Sequence, residues 1–155
     1  MTPRERIAAF RDDLPNQTVG ELVQRHITYG NCYALTDDAY YRLKHVIGRE
    51  FGIHQNEIVV VGSAKLGFSI APEKRYREFG EKSDIDVALC SSTLFDMVWQ
   101  NVFDYWKRGE FWYGFADFRK YFFRGWIRPD KLPPATSFRD KQELVGVLSW
   151  THLKW

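Results

Sequence analysis

The sequence predicts a chain that mixes helices with a small amount of strand, α/β in the α+β sense, and three observations carry that expectation. Apolar residues recur at helical spacing over two long stretches, Tyr40 to Phe51 and Phe95 to Trp106. Between them lies Glu57-Ile58-Val59-Val60-Val61, a β-branched run too short for a helix. Further on, Ile85, Val87 and Leu89 alternate with Asp84, Asp86 and Ala88, the period-two pattern of a strand.

The 155 residues are those of one ordinary domain. We expect a single domain over 1–155, with N-terminal helices in 1–52, a core motif region in 53–107 and an aromatic-rich part in 108–155. A composition of 45% hydrophobic and 27% charged residues excludes a disordered chain, and no apolar run is long enough to span a bilayer. The start, Met1-Thr2-Pro3-Arg4-Glu5-Arg6, lacks the apolar centre of a secretory signal, and Cys32 and Cys90 are the two cysteines. A soluble, cytoplasmic protein without membrane contact is expected. The net charge of +2 argues neither for nor against nucleic acid.

Along the chain, residues 4–13 read as a short helix with Ile7 and Phe10 on one face, and Thr18 caps a second that carries Leu22, Val23 and Ile27. Gly30-Asn31 breaks that pattern. Thr36 followed by Asp37 and Asp38 is an N-cap with acids against the positive end of the helix dipole, and Gly52 ends the helix that follows. The β-branched run reads as a buried strand feeding directly into the tight turn Gly62-Ser63, after which Leu66 to Ile70 continues. The stretch from Ala71 to Ser83, with Lys74, Arg75, Arg77 and Lys82, reads as a charged loop projecting from the domain.

Past the strand with the two aspartates, Cys90 is expected to be a core thiol and Ser91-Ser92-Thr93 to cap a helix. Phe95, Val98, Trp99, Val102, Phe103 and Trp106 form that helix's apolar stripe, ending at Gly109. Phe115, Phe118 and Phe122 mark another helix, stopped near Gly125. Pro129, Pro133 and Pro134 make a loop, and Leu144 to Trp150 is strand or helix. The aromatic crowd between Phe95 and Trp126 is expected to be core; base stacking is the alternative, since the ingredients for it are present.

Chemistry concentrates at two places. Asp84 and Asp86, one residue apart on a strand, project from the same face with Cα atoms about 6.5–7 Å apart. Mg²⁺ takes oxygen ligands and is commonly held by one or two carboxylates plus substrate phosphates. A Gly62-Ser63 turn at a strand end lets a triphosphate approach the backbone, with the Ser63 hydroxyl as a donor and Lys65 adding positive charge. A P-loop is excluded, because Gly67 is followed by Phe68 and Ser69 instead of Lys and Ser or Thr. His26, His45, His54 and His152 are not at zinc spacing.

The series Gly62-Ser63-Ala64-Lys65-Leu66-Gly67-Phe68-Ser69 and Ser83-Asp84-Ile85-Asp86-Val87 resembles the DNA polymerase β nucleotidyltransferase superfamily, over roughly Asp37 to Trp99. In motif it is most similar to the CCA-adding, poly(A)-adding and bacterial cyclic-oligonucleotide-synthesising branches. The resemblance implies a nucleotidyltransferase fold, a small mixed sheet flanked by helices. It also implies transfer of a nucleoside monophosphate from an NTP to a hydroxyl of an RNA, a nucleotide or a protein, with release of pyrophosphate. Gly62 and Ser63 would hold the triphosphate, and Asp84 and Asp86 would hold Mg²⁺ or Mn²⁺. Twenty residues separate Ser63 from Asp84, about twice the gap of compact members, and an inserted basic loop accounts for it. The family's third carboxylate, which helps deprotonate the acceptor, is assigned to Glu143 in preference to Asp117, Asp130 and Asp140. The alternative is a catalytically degenerate nucleotide-binding subunit that works with a partner protein, as in toxin–antitoxin or antiphage systems.

Overall fold

The computed structural model describes residues 1–133. Glu143, Asp140 and the Leu144 to Trp150 stretch lie outside the described residues. The chain is α+β, and its contacts group it into two compact units, Met1–Cys90 and Ser91–Trp155. The boundary falls at the end of the second strand, and each unit has its own hydrophobic cluster. Among the described residues no helix is long and apolar enough to cross a membrane.

In the first unit, α1 (Pro3–Asp13) begins at Thr2, whose hydroxyl accepts from the Glu5 N–H while the Glu5 carboxylate accepts from the Thr2 N–H. Thr18 and Glu21 repeat the device at α2 (Val19–Val23), which runs on into a wider π-type turn over Gln24–Thr28. His26 and Arg25 of that turn both meet Asp13 at the end of α1. Helix α3 (Asp37–Phe51) starts at the Thr36 cap and stops at Gly52, which adopts φ +62°, as the sequence led us to expect.

Strand β1 (Ile58–Val61) buries Ile58 and Val60 completely. Each contributes about 1.5–3 kcal/mol of transfer free energy. It pairs antiparallel with β2 (Asp86–Leu89), with Ile58 opposite Leu89, Val60 opposite Val87 and Val61 opposite Asp86. Among the described residues the sheet is therefore two-stranded and antiparallel, not mixed. Between the strands, Gly62–Leu66 forms the short helix α4 rather than an open turn.

The basic loop does not project as expected. It folds back on the residues that follow α4: the Ser69 N–H donates to the Arg77 carbonyl, Tyr76 to Ser69, and Phe79 to Gly67. Phe79 packs against the cluster of Cys32, Val60 and Ala64, together with Tyr40, Leu43, Ile85 and Val87. An aromatic in the middle of a polar stretch is thus what draws the loop down.

The second unit opens with α5 (Ser92–Lys107), capped by the Ser91 hydroxyl accepting from the Leu94 N–H. Its buried face is Val98, Val102 and Tyr105. Trp106, expected in the core, is 44% exposed, because the buried face centres on positions 98, 102 and 105 and leaves residue 106 at its edge. Helix α6 (Phe115–Phe122) adds Phe118, and Leu132 completes the cluster, with Trp99, Trp112 and Phe122 packed around it. The aromatic crowd is only partly core: Phe111 and Phe123 are exposed.

Candidate functional site

Antiparallel pairing brings the end of β1 beside the start of β2, so the Gly62-Ser63 turn and the Asp84/Asp86 pair share one end of the sheet. Ile85 and Val87 face the core cluster while Asp84 and Asp86 are exposed, the alternation that the sequence predicts. Gly62 adopts φ +64°, and a β-carbon there would lie 2.9 Å from Oδ2 of Asp86. Only glycine combines that backbone with that approach. The Asp86 carboxyl is held above its ordinary value, first by partial burial and then by the Asp84 carboxylate. Both effects make positive charge at this point favourable.

Helix α4 presents its first N–H groups from Gly62 and Ser63, and the residue before them, Val61, has no side chain able to cap them. At its other end, α4 is laced to the segment 30–34. The Tyr33 and Ala34 N–H groups donate to the carbonyls of Lys65 and Ala64, and the Cys32 thiol also donates to Ala64 at 3.3 Å. The Arg6 guanidinium of α1 donates to the Lys65 and Asn31 carbonyls and lies over the Tyr33 ring. Gly67 ends the helix at φ +88°, where a β-carbon would meet Tyr33 at 2.9 Å. These groups fix the turn from behind. Arg6, Cys32, Tyr33 and Gly67 were not singled out for this from the sequence, and contacts between residues so far apart leave no local signal.

Lys65 takes a different place from the one expected of a phosphate ligand. It is 1% exposed, its ammonium donates to the Gly30 carbonyl, and it lies over the Tyr40 ring. Burial pushes its pKa down; Cys32 opposes this, while Arg6 and Lys44 add to it. The lysine thus ties α4 to the Gly30 turn instead of presenting its charge beside Ser63.

Cys90 is a second correction: it is exposed, and the core thiol is Cys32. Cys90 falls in phase with Asp84, Asp86 and Ala88, so the strand period points it outward. Ser69 and Ser83, the remaining motif serines, fasten the inserted loop, accepting from the Ala71 and Gly80 N–H groups. In the second unit, Asp117 pairs with Lys131 and Asp130 with Arg128, whose hydrogen bond holds the Asp130 carboxyl low. Among the described residues no group of three or more His, Cys, Asp or Glu side chains gathers as a metal site. Asp86 is the first residue of β2, whereas Asp84, expected on the same strand, lies two residues before it; both are exposed. Two neighbouring exposed carboxylates remain a donor set suited to a hard cation that draws its other ligands from phosphate and water. Comparison of the chain with models of protein families, with curated proteins and with solved structures returned no match.

Proposed function

We propose that this chain is a nucleotidyltransferase-like protein of the DNA polymerase β type, transferring a nucleoside monophosphate from an NTP to a hydroxyl acceptor and releasing pyrophosphate. The observation that carries the reading is the packing of the Asp86 carboxylate over the Gly62 Cα, which joins the phosphate-type turn and the carboxylate pair into one site. Asp84 and Asp86 would hold Mg²⁺ or Mn²⁺, which when bound supplies charge neutralisation for the triphosphate and the leaving pyrophosphate. The chain's own contributions are distinct. Gly62 keeps the backbone bare for close approach, the Ser63 hydroxyl and the first N–H groups of α4 donate to phosphate oxygens, and the segment 30–34 holds that helix still.

In the reaction the acceptor oxygen bonds to the α-phosphorus as the bond from that phosphorus to the bridging oxygen breaks, and pyrophosphate leaves with the electron pair. Glu143 is the proposed recipient of the acceptor proton, acting from outside the described residues. The test is incubation of the protein with each labelled NTP and Mg²⁺ or Mn²⁺, alongside the Asp84→Asn/Asp86→Asn variant. Pyrophosphate released by the wild type alone supports the reading. Metal-dependent NTP binding without release from any NTP would instead support the degenerate, partner-requiring form.

A further inference from the structure

A cleft of about 220 Å³ opens between α1 and the inserted loop, lined by Phe10, Leu14, Ile70, Pro72, Arg75 and Tyr76. Ile70 is 47% exposed, unusual for an isoleucine with a packed loop beside it. Two guanidiniums meet at the cleft on one ring: Arg75 lies 5.2 Å and Arg11 5.8 Å from the centre of Tyr76. No salt bridge to a carboxylate engages either of them among the described residues, so both guanidiniums are open to an anionic ligand. Tyr76 itself holds φ +62°, the sole non-glycine residue with positive φ among those described. That backbone costs about 1–2 kcal/mol. It is maintained by the Tyr76 N–H to Ser69 bond of 2.7 Å and the Ser69 N–H to Arg77 bond of 2.8 Å.

We propose that this cleft is a docking site for a single-stranded polynucleotide, one base lodging against Phe10, Ile70, Pro72 and Tyr76 while Arg11 and Arg75 hold the flanking phosphate. The inference rests on the nucleotidyltransferase reading only in naming that strand as the acceptor.

Charge and shape favour a polynucleotide over an acidic peptide. Guanidinium forks match phosphate oxygens two at a time, and aromatic rings and guanidinium planes offer flat surfaces on which an unpaired base stacks. Exposed Lys74 and Arg77 add positive charge along the loop, where Glu73 is the opposing acid and Glu78 is paired with Arg4; the remaining excess of cations suits a chain of phosphates more than a single peptide anchor. The cleft is also tethered to the candidate site at both ends. Six residues lie between Ser63 and Ile70 and seven between Tyr76 and Asp84, which caps the separation at roughly 25–29 Å. A short oligonucleotide bridges that span.

The test is fluorescence anisotropy of labelled single-stranded RNA and DNA oligonucleotides with the 155-residue protein, without NTP, across a salt series. The comparison proteins are Arg11→Gln/Arg75→Gln, Ile70→Glu, which puts a carboxylate on an already exposed position, and Asp84→Asn/Asp86→Asn. Binding should fall tenfold or more in the first two with an unchanged unfolding temperature, and persist in the third. The double arginine variant should also lower the slope of log affinity against log salt by about 0.7, the loss of one single-strand phosphate contact. Absence of oligonucleotide binding, binding that the cleft variants retain, or tighter binding of an acidic peptide would each overturn the proposal. Pyrophosphate release is measured separately, so oligonucleotide binding without turnover would remove the proposed function and leave the cleft assignment standing.

Discussion

Gly62→Ala probes the contact that joins the two halves of the candidate site. Alanine at φ +64° pays the left-handed penalty of about 1–2 kcal/mol. Its β-carbon would also sit 2.9 Å from Oδ2 of Asp86, and the carboxylate, not the backbone, is the part that can move. Swinging Asp86 away from its preferred rotamer adds about 0.5–1.5 kcal/mol. The total is about 1.5–3.5 kcal/mol, or a fall in Tm of roughly 3–14 °C for a chain of this length. Displacing Asp86 should weaken Mn²⁺ binding on the order of tenfold, as loss of an orienting contact does. Gly52→Ala is the control: Gly52 has φ +62° but nothing within 4 Å of its missing β-carbon, so it should lose stability alone. Thermal unfolding and Mn²⁺ titration by paramagnetic relaxation read the two effects separately. If Gly62→Ala leaves both Tm and Mn²⁺ affinity where they were, the turn and the aspartates are not one site and the reasoning fails.

Other outcomes follow from the same geometry. Because the Asp86 carboxyl is raised in the fold, its stabilising contribution is present below the ordinary value of 3.8 and lost as pH climbs through the raised one. Asp86→Asn should therefore match the wild type in acid and become the more stable protein towards neutrality, a gap that Mg²⁺ closes; Tm against pH for both proteins checks it. Lys65→Met keeps the buried volume and should leave the KM for NTP unchanged, while Lys65→Ala should lose about 2–4 kcal/mol through an unpaired Gly30 carbonyl and lost packing. A KM that rises with Lys65→Met would return the lysine to the phosphates. Phe118→Ala, in the second unit's cluster, should cost about 3–5 kcal/mol and lower one of two unfolding steps seen by calorimetry; a single transition that moves as a whole would contradict independent cores.

Helix α3 and strand β1 could be read from the chain because their signals are local: Thr36, Asp37, Asp38 and Gly52 mark the helix ends, and the β-branched run stops at Gly62. The outward direction of Asp84 and Asp86 was legible for the same reason, since a strand's period is fixed by its pleat. Cys90 obeys that period too, and its phase, not its place beside an apolar run, decides its exposure. The position of Lys65 leaves no local signal, because nothing within a few residues of it records the Gly30 carbonyl or the Tyr40 ring, both brought there by packing at long range. Phe79 shows the converse: one apolar side chain outweighs the polarity of its neighbours once a cluster is available to receive it.

The hydrogen bonds that pin the inserted loop at Gly67, Ser69, Arg77 and Phe79 act as a clamp between the loop's tip and the strands. Changes in length at Pro72–Lys74 end at that clamp and do not reach the register that sets Val61 against Asp86. An insertion at the tip, a fluorophore for instance, would thus disturb the cleft that Pro72 and Arg75 line. The chemistry-bearing end of the sheet would still keep its alignment.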